Sequence, residues 1–131
     1  MKDLIFYNTG QSHFTSGLLD QIGALIPSEN IILCKDIKQL RAALLKPAFN
    51  LLAAILAVSG RQELLDLVAI SKFLRAARII LILPDREMET VSQGHELRPR
   101  FLTWPAAAPG EVMAVLHKML AMADQSREKQ N

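Results

Sequence analysis

Apolar residues in this chain fall into blocks of two kinds. Short, dense runs rich in Ile, Leu and Val stand at Leu4–Tyr7, Ile31–Cys34, Leu51–Val58, Ile79–Leu83 and Phe101–Thr103. Runs that are apolar on both faces suit the central strands of a parallel sheet covered by helices on both sides. Between them lie longer stretches with a period near 3.6. Phe14, Leu18, Ile22, Leu25 and Ile26 share one helical face, and Pro27 ends that helix. Ile37, Leu40 and Leu44 form a second stripe, with Asp36 as its cap and Pro47 beyond its end. Leu64, Leu65, Val68 and Phe73 predict a third helix, and Val112, Leu116, Met119, Leu120 and Ala123 predict the last. A weaker pattern from Asp85 to Gln93 has only Met88 and Val91 as anchors, with Gly94 as its stop.

Strand then helix, repeated five times, builds βαβ units, and right-handed crossovers put the helices on both faces. The expected fold class is α/β: a flavodoxin-like, doubly wound (βα)5 three-layer sandwich on a parallel five-stranded sheet, order 2-1-3-4-5. At 131 residues the chain is expected to be one domain over 1–125 with a flexible polar tail at 126–131.

Composition narrows the function classes. The chain is 50% hydrophobic and 21% charged, an ordinary balance for a globular protein. The longest apolar run, Leu51–Val58, is far short of the ~20 residues of a membrane span, and the apolar start is too short for a signal peptide's ~7–15. The single Cys34 has no internal disulfide partner. These features point to the cytoplasm and away from membranes. A net charge of +2 does not predict nucleic-acid binding, and the basic spot of Arg86, Arg98 and Arg100 reads as solvated surface. His13, His95 and His117 lie in different segments with no ligand-type neighbours, so no metal site is expected.

Chemistry in an open α/β sheet sits beyond the carboxyl ends of the strands, here after Tyr7, Val58, Leu83 and Thr103. The stretch Phe101-Leu102-Thr103-Trp104-Pro105, leading into Pro109-Gly110-Glu111-Val112, resembles the end of a response-regulator receiver domain. That family has aromatic-Leu-x-Lys-Pro there, and the resemblance implies a Mg²⁺-dependent phosphoryl site. Its residues are replaced throughout. The acid pair reads Asn8 and Thr9, the phosphoacceptor position falls at Ala57 or a neighbour, the switch hydroxyl at Leu83 or Pro84, and the Lys at Trp104. Hard Mg²⁺ needs oxygen ligands, usually carboxylates, and no acid stands in the third strand. Ser59 is expected to cap a helix. Tyr7, Asn8, Ala57, Val58, Pro84 and Trp104 would then converge on a mostly apolar mouth. Trp104 either fills the vacated volume or makes a docking contact. Ala108 replaces the usual capping residue before Pro109, so Ala108→Ser is expected to stabilise the last helix.

The resemblance therefore implies a pseudo-receiver: a non-catalytic, phosphorylation-independent domain, without cofactor, that acts in signalling or regulation by binding a protein partner or itself. In receivers the pairing face is the fourth helix, fifth strand and fifth helix, which here carries Met88, Val91, Arg98, Arg100, Met113 and His117. The chain is expected to stand alone, without a DNA-binding output. The alternative is a small-ligand or FMN-binding module. Thr9-Gly10-Gln11-Ser12 is similar to the flavodoxin phosphate loop, whose N–H groups and hydroxyls cradle a phosphate. Aromatic rings to sandwich a flavin are scarce, however.

Overall fold

The computed structural model describes residues 2–10, 13–46 and 51–130. Within them the strands are β1 (Asp3–Asn8), β2 (Ile31–Cys34), β3 (Leu51–Ala57), β4 (Ile79–Ile82) and β5 (Phe101–Thr103). The helices are α1 (His13–Leu25), α2 (Ile37–Leu44), α3 (Arg61–Ala69), α4 (Ser71–Leu74), α5 (Met88–His95) and α6 (Ala108–Gln130), with a 3-10 turn at Ser28–Asn30. The sheet is parallel throughout, in the order β2-β1-β3-β4-β5. This is the doubly wound arrangement that the alternation of runs predicts.

Strand periodicity explains the three layers. Successive side chains of a strand point to opposite faces, and both faces here are apolar. Leu4 and Phe6 of β1 and Ile55 and Ala57 of β3 pack with Leu18, Ile22, Val112 and Leu116 of α1 and α6. Their neighbours Ile5, Tyr7, Ala54 and Leu56 pack with Leu40, Leu64, Leu67 and Leu74 of α2, α3 and α4. No described helix is long and apolar enough to cross a membrane.

The helix ends follow local chemistry, with four departures from the sequence expectations. Asp36 caps α2 as expected, accepting from the Gln39 N–H at 2.7 Å. Pro47 and the Phe14 side chain lie outside the described residues. The third helix is two pieces, because Ile70 (φ −105°, ψ 20°) leaves the helical region. The expected stripe holds Leu65 inward. It is 44% exposed, while Leu67 and Leu74 are buried.

Helix α5 starts at Met88 rather than Asp85, whose carboxylate instead accepts from the Glu87 N–H at 3.0 Å in the turn before it. Gly94 is no stop: it lies inside α5 and lets the helix approach the sheet. A Cβ there would stand 3.1 Å from Leu81 Cδ2 and 3.2 Å from Leu83 Cδ1. Ala108 is not the cap of α6 but its first residue, fully buried in the core beside α1. The Ala107 carbonyl accepts the Glu111 N–H at 3.1 Å, so Ala107 holds the capping position. A hydroxyl added at Ala108 would be buried in apolar surroundings, which reverses the expected gain. Helix α6 continues through the polar residues up to Gln130.

Candidate functional site

The carboxyl ends of the strands line up across the sheet. Asn8 pairs with Ala57, Ala57 with Ile82, and Ile82 with Thr103. The loops that leave this row form a mouth with two unlike halves.

The first half joins the loops after β1 and β3. The Ser59 hydroxyl donates to Glu63 Oε2 at 2.5 Å, and the Thr9 hydroxyl donates to the same oxygen at 2.8 Å. The Ser59 N–H also reaches it at 3.3 Å, and the two hydroxyl oxygens lie 3.3 Å apart. Asn8 Oδ1 accepts from the Gly10 N–H at 3.1 Å, which turns the chain away from the strand. Below this knot lies Tyr7, fully buried. Its hydroxyl and Glu63 Oε1 are both buried, and the hydroxyl interacts with the Glu63 carboxylate. Burial pushes the Tyr7 phenol well above its ordinary range, and the adjacent Glu63 carboxylate pushes it further.

The second half joins the loops after β4 and β5. Trp104 is half-buried against the α2–α5 side of the core. Its indole N–H donates to the Asp85 carbonyl at 2.6 Å. The Arg86 guanidinium lies over the ring, 4.1 Å from its centroid, a cation–π contact. Beneath it the buried Thr103 hydroxyl donates to Glu111 Oε2 at 2.5 Å, tying β5 to the first turn of α6. Pro84, in the loop after β4, is half-buried.

This geometry changes the expected mouth in two ways. The named residues do not all converge. The Ala57 side chain belongs to the core on the α1 and α6 side, whereas Tyr7, Val58 and Trp104 belong to the opposite one. Nor is the mouth mostly apolar, since Glu63 brings a carboxylate into it. Glu63 comes from the first turn of the helix after β3 and not from a strand, where the receiver resemblance puts the acids. The signal was present: Glu63 is the third residue of α3, where a Glu folds back on the helix start. Ser59 is not the cap, for Gly60 holds that position with no side-chain bond and Ser59 serves Glu63 instead.

Chemically, Glu63 Oε2 already accepts from three donors, so it acts as a tie between two loops. No group of three or more His, Cys, Asp or Glu suited to a metal occurs among the described residues. Of the phosphate-type loop, Thr9 is committed to Glu63 and Gly10 to Asn8, while Gln11 and Ser12 lie outside the described residues.

The residues expected on a pairing face flank β5 at the sheet edge. Met88 is 87% exposed at the start of α5, and Val91 is half-buried. Arg98 and Arg100 are exposed in the approach to β5. On α6, Met113 is half-buried against the core and His117 is exposed. The chain matches no family model, and no curated protein matches it.

Proposed function

We propose that this protein is a pseudo-receiver: a non-catalytic, cytoplasmic domain that acts in signalling or regulation by binding a protein partner, or a second copy, along the α5–β5–α6 edge. The observation that carries this reading is the fixed Trp104. It stands where the receiver resemblance requires a mobile Lys, with its N–H bound to Asp85 and its ring under Arg86. A side chain held on both its edge and its face has no free group with which to read a phosphoryl oxygen. The carboxylate in the mouth supports the same conclusion. Glu63 is engaged with Ser59 and Thr9, and among the described residues no group of three or more His, Cys, Asp or Glu stands ready to hold a metal. It also weakens the flavin alternative, because a carboxylate on Thr9 repels the phosphate that such a loop would hold.

The test is a thermal-shift panel with Mg²⁺ plus beryllofluoride, a phosphoryl mimic, and with FMN, alongside sedimentation of wild type and Met88→Glu. Neither ligand is expected to raise the melting temperature. Binding at 100 times a dissociation constant would add about 2.7 kcal/mol, several degrees in a domain of this size. A beryllofluoride shift sinks the reading outright, and an FMN shift replaces it with the flavin one. If the chain self-associates, Met88→Glu is expected to dissociate it.

A further inference from the structure

We propose a second site at the opposite end of the sheet: an anion cleft formed by Arg75 and Arg98 that takes a phosphate group, free or as a small phosphate monoester. The cleft holds about 220 Å³ and is lined by Ser71 and Arg75 from the α4 side and by Glu96 and Arg98 from the segment after α5. A water molecule's share of liquid is about 30 Å³, so several waters, or a phosphate with part of its hydration, fit within it. Arg75 precedes β4 and Arg98 precedes β5. The four residues of β4, at ~3.3 Å each, separate this end of the sheet from the Trp104 mouth. Arg86, which sequence proximity grouped with Arg98 and Arg100, is at the mouth instead.

Three observations carry the proposal. Arg75 and Arg98 are exposed, and among the described residues neither guanidinium has a carboxylate or hydrogen-bond partner; the ion pair present is Arg61–Glu89. Their guanidiniums come from two separate segments, so the cleft offers two planar forks suited to a tetrahedral oxyanion. Arg98 is also the one non-glycine residue with positive φ among those described, at 52°. That conformation strains any residue with a Cβ, and the end of a helix usually gives it to Gly. The chain keeps a guanidinium where its backbone favours no side chain.

The carbonyl ends of α4 and α5 attract cations, which by itself would favour basic residues nearby, yet neither guanidinium is bound to them. Glu96 on the cleft wall opposes an anion. The net attraction is therefore weak for a singly charged carboxylate and stronger for a doubly charged phosphate. This inference does not rest on the pseudo-receiver reading, although Arg98 is also among the residues expected on the pairing face.

The experiment is a thermal-shift titration of the full chain with sodium phosphate and with phenyl phosphate, each against sodium chloride at equal ionic strength. A saturable rise of several degrees is expected for wild type and for Arg86→Gln. Arg75→Gln is expected to lose most of it. Arg98→Gly is expected to melt higher than wild type in chloride, through relief of the positive φ, and to show no phosphate shift. A larger response to phenyl phosphate than to phosphate assigns the site to monoesters, and an equal response to the phosphate group alone. The proposal is overturned if phosphate does no more than chloride, or if Arg75→Gln and Arg98→Gly respond as wild type does.

Discussion

Tyr7 and Glu63 show how a single pair of side chains joins fold to site. Tyr7 fills core volume under the mouth, and its buried hydroxyl interacts with the Glu63 carboxylate, whose Oε1 is buried beside it. Tyr7→Phe removes that hydroxyl and leaves the buried Glu63 Oε1 with no donor beside it, so it is expected to destabilise the protein by roughly 1 kcal/mol at neutral pH. The pH dependence follows from the same burial. The folded state holds the phenolic proton to a pH well above the ordinary value of about 10, at which the unfolded chain releases it. Below about pH 10 both states are protonated and this contribution to stability is complete. Above it the unfolded chain alone loses its proton, so stability falls as pH rises toward the folded-state value. Urea denaturation at pH 8 to 11 is expected to show that decline in wild type and a shallower one in Tyr7→Phe. Equal slopes in the two proteins would separate the decline from Tyr7. Tyr7 itself was legible as a strand residue at the mouth. Its partner was not, because Glu63 reaches the mouth from a helix and strand periodicity says nothing of where a helical side chain turns.

At the scale of elements, the glycines separate two effects that sequence propensity merges. Gly94 lies in α5 against Leu81 and Leu83, both fully buried. Gly17 lies on the exposed side of α1, with nothing among the described residues within 4 Å of an added Cβ. Helix propensity favours Ala at both positions by roughly 0.8–1 kcal/mol. At Gly17 nothing opposes that gain, and Gly17→Ala is expected to stabilise by about that amount. At Gly94 the methyl group would force two packed leucines apart, and such overpacking costs roughly 1–3 kcal/mol. Gly94→Ala is therefore expected to destabilise by about 1 kcal/mol. Urea midpoints for the two variants should move in opposite directions, and a shared rise would mean that α5 has room to withdraw from β4. The same contrast explains what was readable in advance. Strand positions and the Asp36 cap follow from local rules, since dense apolar runs and a carboxylate before a helix carry their own geometry, and the strand order follows from the doubly wound class that their alternation matches. The α3–α4 break, the buried Gly94 and the shifted start of α6 depend on distances between elements, which no window along the chain contains.

At the scale of the molecule, one sheet divides two cores. β3 serves both, sending Ala53, Ile55 and Ala57 to the α1 and α6 side and Ala54 and Leu56 to the other. Neither core persists if β3 leaves, because each would lose its central row of contacts. A chain of 131 residues with a shared central strand is therefore expected to unfold in one step. The single Trp104 makes this testable, as it reports from the α2–α5 side, while much of the far-ultraviolet signal comes from the long α6 on the other side. Indole emission and circular dichroism, followed through one urea titration, are expected to give coincident transitions. An earlier indole transition would mean that the mouth opens while α1 and α6 stay packed. The Asp85 and Arg86 contacts would then be a latch with a stability of its own, and the edge beside β5 would have two states for a partner to select between. Coincidence ties the mouth to the global fold. A partner on the α5–β5–α6 edge then meets a preformed surface, and its affinity depends on what Met88 and its neighbours touch rather than on a conformational change it must drive.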